Sequence, residues 1–344
     1  MARILRTGRI APALLTLLLV LPRPGLAEGL AGAAGLVFTA DERGNSVSRV
    51  DLASGAVETV ALPISPHNVQ VGADGRRLLA VGAAAAQLGS THGHGDGGQL
   101  LILDPHELDA PPASIAVGDH PAHVVTDRDG GRAFVTNAGD DTVSVVDLAA
   151  GAVVASIPTG DYPHGLRLSP DGASLLVANV QDGTVSLIDV ASLAELARIP
   201  VGTTPVQVAF LPDGRRAYVS LRDEDAVAIV DLASRTTTGR IAVGDGPIQL
   251  FATPDGAQVL VANQGSEALP GDTVSVIDVA SGKVRATVTT DAGAHGVAIS
   301  ADGALAFVTN VTAGTLSVVE VAAPAVVATY SVGAGPNGVS YLAP

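Results

Sequence analysis

The chain has 344 residues, no Cys, no Trp and only nine Phe and Tyr together, with 47% hydrophobic residues and a formal net charge of -15. That charge argues against a nucleic-acid-binding surface, which needs a basic face to displace counterions. The absence of Cys excludes disulfides, lipid-modified cysteine and a Cys nucleophile, so stability has to come from packing.

The N-terminus reads as a cleaved signal peptide over residues 1–27. Arg3, Arg6 and Arg9 supply a positive leader, Ile10 to Leu21 form an apolar run, and Gly25-Leu26-Ala27 offers small residues before Glu28. The run falls short of the ~20 residues of a spanning helix, and Pro22 and Pro24 follow it directly. The expectation is a periplasmic or secreted protein with no membrane span after cleavage and one mature domain, residues 28–344. Acidity is an ordinary means of keeping such a protein in solution.

Three short strands come next, at Val37-Phe38-Thr39-Ala40, Ser46 to Asp51 and Glu58 to Leu62. From there the chain repeats. Segments beginning at Pro121, Pro163, Pro205 and Pro247 are 42 residues apart, and those at Ala294 and Pro336 are 42 apart again. Pro66 to Pro121 and Pro247 to Ala294 are longer by 13 and 5 residues, which places insertions in two units. In the unit from Pro163, strands are predicted at Leu166 to Leu168, Ser174 to Ala178, Thr184 to Asp189 and Ala197 to Val201, joined by Asp-Gly and related hairpin turns. A unit of this length is one propeller blade. The unit from Pro336 holds a single strand, Asn337 to Leu342, and the three strands it needs are those at the N-terminus. The predicted fold is all-β: a seven-bladed β-propeller of four-stranded blades, its ring closed by N- and C-terminal strands in one blade, which leaves no open sheet edge.

The lines AFVTNAGDDTVSVVDLAAGAVVASIPTG, LLVANVQDGTVSLIDVASLAELARIPVG, VLVANQ with TVSVIDVASGKVRATV, and AFVTN with TLSVVEVAAPAVVATYSVG resemble the YVTN-repeat β-propellers of secreted and cell-surface proteins. The resemblance covers Leu36 to Leu342 and implies a structural repeat serving a non-catalytic binding or scaffold role.

In an up-and-down blade, the start of the inner strand and the end of the second strand lie on one face, called the upper face below. His67, His164 and His295 come first on inner strands after Pro66, Pro163 and Ala294; His123 comes one place later on its own, and His120 sits in a blade-to-blade loop. His92 and His94 fall in the longer insertion, between second and third strands. Seven of the eight histidines thus map to the upper face, and His106 maps below. The inner-strand four cluster on one arc, with Asn337 between two of them, while Gln207 and Gln249 hold the other arc. Asp41 occupies the place of Asn137, Asn179, Asn263 and Asn310 in other blades. Neutral imidazoles with a carboxylate suit zinc or copper, whose bonds to His of about 2.0–2.1 Å require convergence from several strands. A polar, solvated channel mouth is the other reading of the same residues.

In its His- and Gly-bearing early loop and its inner-strand histidines, the chain is similar to periplasmic zinc-metallochaperone propellers. Pro163-His164-Gly165 also resembles copper-ligand lines of the nitrous oxide reductase propeller, whose second copper domain has no counterpart here. The expected function is therefore a binding or scaffold module acting through the upper face on a protein partner. A zinc or copper carrier using His67, His123, His164, His295, Asp41, His92, His94 and His120 is the alternative, and a lactonase-like hydrolase is the third reading. No G-x-S-x-G elbow is present, and no acid–base pair follows from spacing.

Overall fold

Runs of Val, Ile and Thr in this chain end on residues that force a reversal. Where a third strand ends in Asp, the carboxylate folds back onto the turn that follows: Asp189 Oδ1 accepts from the Ser192 N–H at 2.7 Å, and Asp231 and Asp278 do the same for Ser234 and Ser281. The Asp-Gly turns after inner strands place glycines such as Gly172 in the left-handed region, at φ 78°, which residues with a Cβ enter only at a cost. The repeat line is a list of strands punctuated by self-capping turns.

The computed structural model describes residue 30, residues 32–85 and residues 97–344. The leader, and the insertion carrying His92 and His94, lie outside the described residues. Twenty-eight strands form seven antiparallel four-stranded sheets with no α-helix among the described residues. Six sheets run through the chain in order, with inner strands Ile64–Val71, Pro121–Thr126, Pro163–Leu168, Pro205–Phe210, Pro247–Ala252 and Ala294–Ile299 for blades 1 to 6. The seventh is composite: Pro336–Leu342 pairs with Leu36–Asp41, followed by Ser46–Asp51 and Val57–Ala61. Inner strands of neighbouring blades touch around the whole ring. The seven-bladed propeller expected from the repeat, with its closing blade shared between both ends of the chain, is the observed fold.

The core lies between blades. Leu187 and Ile199 of blade 3 pack with Val208 and Val219 of blade 4, and Phe38 and Val47 of the closing blade pack with Leu78 and Leu101 of blade 1. Inner strands are buried along most of their length, whereas outer strands alternate: Ala194–Pro200 exposes every second residue until Ile199 enters the core. This alternation lets each blade bury one face with small aliphatic residues and no Trp.

Two local differences from the predicted strands matter for the site. Outer strands begin earlier, at Ala194 and not Ala197 in blade 3, because a β-bulge between Leu187 and Ile188 keeps the pairing going. Inner strands also begin at the opening proline. Pro163 pairs with Asn179, but the next pair is Leu166 with Val177, so His164 and Gly165 face the single residue Ala178. The same break follows Pro121, Pro205, Pro247 and Ala294. A bulge of this kind re-aims side chains that an ordinary pleat would hold in the sheet.

Candidate metal centre at the upper channel mouth

Because every inner strand is bulged at its upper end, the residues just after the opening proline leave the ladder and rim the channel. Hydroxyls replace the missing ladder bonds. Thr136 accepts the His123 N–H at 3.0 Å and donates to the His164 carbonyl at 2.6 Å, linking blade 2 to blade 3. Ser220 and Thr309 make the same link to the Ile248 and Asn337 carbonyls. The Asn of the repeat line secures the next turn, as Asn179 Nδ2 donates to Thr184 and Ser186 hydroxyls. The frame that holds the rim is thus built by the repeat itself.

On this frame His67, His123 and His164 converge, with one ligand nitrogen from each lying within 4.8 Å of the others. Their rings meet edge to face, at centroid separations of 5.0 to 5.9 Å. His67 Nε2 and His164 Nε2 are 3.0 Å apart. The tautomers follow from the partners at the other ring nitrogens. His164 Nδ1 faces the Val206 carbonyl at 3.2 Å, which can only accept, so it carries hydrogen. His67 Nδ1 lies 3.1 Å from both Glu42 Oε1 and the Asn337 amide nitrogen; the ionised carboxylate can only accept, so Nδ1 donates to it, and the amide donates to Glu42 Oε2. In the neutral state two nitrogen lone pairs therefore point at each other. A proton or a metal ion between them removes that repulsion.

Burial drives His123 well below the usual imidazole range, and positive charge on His164 and His67 adds to it. Burial likewise pulls His164 down to about 3, assisted by the charges of His67 and His295. Both are held neutral at ordinary pH, the form that ligates metal. His123 Nε2 is enclosed with no hydrogen-bond partner among the described residues. Its Nδ1 lies 3.4 Å from the Gln207 amide nitrogen, and Gln207 Oε1 takes the Val208 N–H. Gly165 is needed here, since a Cβ would run into the Gln207 side chain and the Val206 carbonyl.

Glu42 was not among the residues picked out from sequence. It opens the 3₁₀ turn Glu42–Gly44, which is fixed by its N–H to the Gly335 carbonyl at 3.0 Å and by Ser65 Oγ to its own carbonyl at 2.7 Å. Burial pushes its carboxyl up, but the hydrogen bond and charge of His67, with the Asn337 amide, outweigh this and hold it at about 2. It is a carboxylate that orients a histidine, the usual outer partner of a metal-ligating imidazole. The equivalent position reads Ala138, Val180, Arg222, Gln264 and Val311 in blades 2 to 6, so a negative charge at this place is the available signal.

Of the other predicted residues, His92 and His94 lie outside the described ones, and Asp41, His295 and His120 are not part of the trio. Asp41 is fully buried and turned the other way, accepting from Thr39 at 2.7 Å, Ser48 at 2.6 Å and Ser46 at 3.2 Å. Burial raises it to about 6 despite those hydroxyls. His295 Nδ1 donates to the Asn337 carbonyl at 3.1 Å, and burial lowers it to about 4. His120 is exposed and contacts Asp119 at 3.0 Å. With Tyr162, Glu42, Ser65, His67 and His164 it lines an open cavity of about 250 Å³ above the trio. His120 and Tyr162 both adopt positive φ, 48° and 59°, at the place where blades 5, 6 and 7 have Gly246, Gly293 and Gly335. Retaining side chains there costs of order 1 kcal/mol each, and both border the cavity.

Residues 119–221 match the YNCE-like beta-propeller family. No curated protein matches the chain in sequence. Among solved structures, hydrazine synthase of Kuenenia stuttgartiensis is similar over 82% of this chain and 90% of its own, at 22% identity and a TM-score of 0.69. A functionally unknown protein from Desulfotomaculum acetoxidans aligns over 90% of this chain and all of its own, with 16% identity and a TM-score of 0.73. The dihydro-heme d1 dehydrogenase NirN, solved in complex with DHE, aligns over 89% of this chain and 74% of its own, with 16% identity and a TM-score of 0.63. At these identities the structural likenesses show the fold alone. The family match across 119–221 and the seven repeated blades support a YVTN-type propeller.

Proposed function

We propose that the protein is a metal-binding propeller that carries one zinc or copper ion at its upper channel mouth through His67, His123 and His164. The observation behind this reading is the 3.0 Å approach of the His67 and His164 Nε2 atoms, each bare of hydrogen because the other ring nitrogen donates. Opening that distance to about 3.3 Å lets an ion bond both at about 2.0–2.1 Å with a near-tetrahedral angle. His123 supplies the third nitrogen, and the cavity supplies an open fourth position. Three protein ligands and one open position suit an ion that is exchanged, since closed four-ligand sites are the structural kind.

The chain's own residues do the positioning. Glu42 and the Val206 carbonyl fix the tautomers of His67 and His164, and the bulges keep the rings from turning away. Release follows protonation, because each imidazole that takes a proton leaves the ion. With the leader read at residues 1–27, the carrier works outside the cytoplasm, and His92 and His94 capture the ion for the ring.

Calorimetric titration of the full, untagged chain with Zn²⁺ and with Cu²⁺ at pH 7.5 tests this. One ion per chain is expected, with binding lost in the variant carrying H67A, H123A and H164A. Equal affinity in the variant and the parent would remove the carrier reading and leave a protein-binding scaffold.

A further inference from the structure

Below the trio the channel changes character. Arg167, Ala209 and Phe251 hold the same register position on the inner strands of blades 3, 4 and 5, each four residues after the opening proline. Ala209 is small, so its two neighbours reach across it, and the Arg167 guanidinium carbon sits 5.4 Å from the Phe251 ring centroid, within cation–π range. Leu168, Phe210 and the turn prolines complete an apolar cavity of about 310 Å³. That volume is at the small end of pockets that take organic ligands.

Within this acidic protein, Arg167 has no carboxylate partner among the described residues. The turn aspartates that follow the inner strands of blades 3, 4 and 5 are committed to their own turns. Asp171 accepts from the Ser169 hydroxyl and the Ala173 N–H, Asp255 from the Thr253 hydroxyl and the Ala257 N–H, and Asp213 from the Arg215 N–H. Arg167 Nη1 donates to the Leu166 carbonyl at 3.0 Å, while Nε is enclosed with no acceptor among the described residues. Burial lowers the guanidinium to about 10, which leaves it charged at neutral pH. A half-buried cation without a counter-ion is unfavourable, and a carboxylate reaching it offsets that cost with charge-assisted hydrogen bonds.

We infer that the lower channel mouth is a binding site for a planar aromatic carboxylate, its carboxylate on Arg167 and its ring against Phe251, Phe210 and the turn prolines. The site is separate from the metal centre and stands whether or not the ring histidines hold an ion.

Binding of 2-naphthoate and of its uncharged counterpart 2-naphthamide to the full chain, followed by calorimetry, tests the inference. Naphthoate is expected to bind one per chain, with naphthamide at least about tenfold weaker. R167Q should weaken naphthoate at least about tenfold, and R167K should fall between, since an ammonium keeps the charge but lacks the planar fork. Thermal melting and Zn²⁺ titration of each variant report whether the ring is intact. Should R167Q fail to fold, R167K and the naphthamide comparison decide. Equal binding of acid and amide, unchanged affinity in R167Q, or no naphthoate binding up to about 1 mM would overturn the assignment.

Discussion

The two ends of the channel are written by the same strands and carry opposite chemistry. At the upper mouth the positions just after the opening proline present nitrogen acceptors backed by an ionised Glu42; four residues after that proline, the lower mouth presents a lone guanidinium over a phenyl ring. His164 and Arg167 stand three residues apart on one strand, about 10 Å along it. The repeat fixes which positions face the channel and leaves their chemistry open. Function in such a ring is to be sought where one blade departs from the line its neighbours share. The bulge sharpens the contrast, because it frees upper positions from the ladder while lower positions stay paired, as Arg167 does with Leu176.

The widest gap between the mouths should come from H67A with H164A. Removing two of three ligands is expected to lower Zn²⁺ or Cu²⁺ affinity by more than about 1000-fold, more than 4 kcal/mol, while 2-naphthoate binding at the lower mouth changes less than about twofold. Parallel titrations check both. Loss at both ends would mean that the mouths are one coupled site.

The next effect is a pH dependence set at the upper end. His295 is neutral in the folded state down to about pH 4 but takes a proton near 6.5 when unfolded. Its contribution is present above pH 6.5 and lost as pH falls to about 4, of order 3 kcal/mol. Denaturant melts from pH 7 to 4 should show that loss, and H295Q, which can still donate to the Asn337 carbonyl, should reduce it.

Asp41 works in the reverse direction. Its folded value of about 6 lies above the ordinary 3.8, so its contribution is present below pH 3.8 and lost as pH rises through 6. D41N installs the residue found at Asn137 and Asn179 and should stabilise the protein at pH 8 by about 2 to 3 kcal/mol, with the gain vanishing near pH 4. Chemical denaturation at the two pH values measures it. A gain equal at both would mean that ionisation is not the cause.

The smallest effect belongs to E42Q. The amide oxygen still accepts from His67, but the charge is gone, and affinity for the ion should fall about tenfold with naphthoate binding unchanged. Calorimetry of E42Q beside the parent separates this from unfolding.

The fold could be read from the sequence because its determinants are local and repeated: the 42-residue spacing, the Asp-Gly turns and the Asp that caps most outer hairpins. The upper-face arc of histidines could be read for the same reason, since position in the line gives position on the ring. What could not be read is rotation. Asp41 and Glu42 are consecutive carboxylates at the end of one strand, and a single 3₁₀ turn sends the first into a pocket of hydroxyls and the second over the channel. Thr39, Ser46 and Ser48 alternate along the sheet toward Asp41, and their spacing was the clue to its burial. His295 shows the converse case. It shares its position with His164 and makes the same bond, Nδ1 to the equivalent carbonyl of the next blade, yet it stays outside the trio. The lower cavity depends on a small residue, Ala209, lying between two large ones, which only the ring arrangement brings together.

The closing blade gives the upper site an order of events. Glu42 directly follows the strand Leu36–Asp41, and Asn337, which donates to its carboxylate and holds His295, lies in the strand that closes the ring beside it, Pro336–Leu342. Until the last strand zips beside the first, Glu42 lacks the neighbour that steadies it and His67 lacks a fixed orientation. On the proposed carrier reading, a half-made ring offers the ion a poorer grip than a closed one, and loading is a late checkpoint on a finished circle.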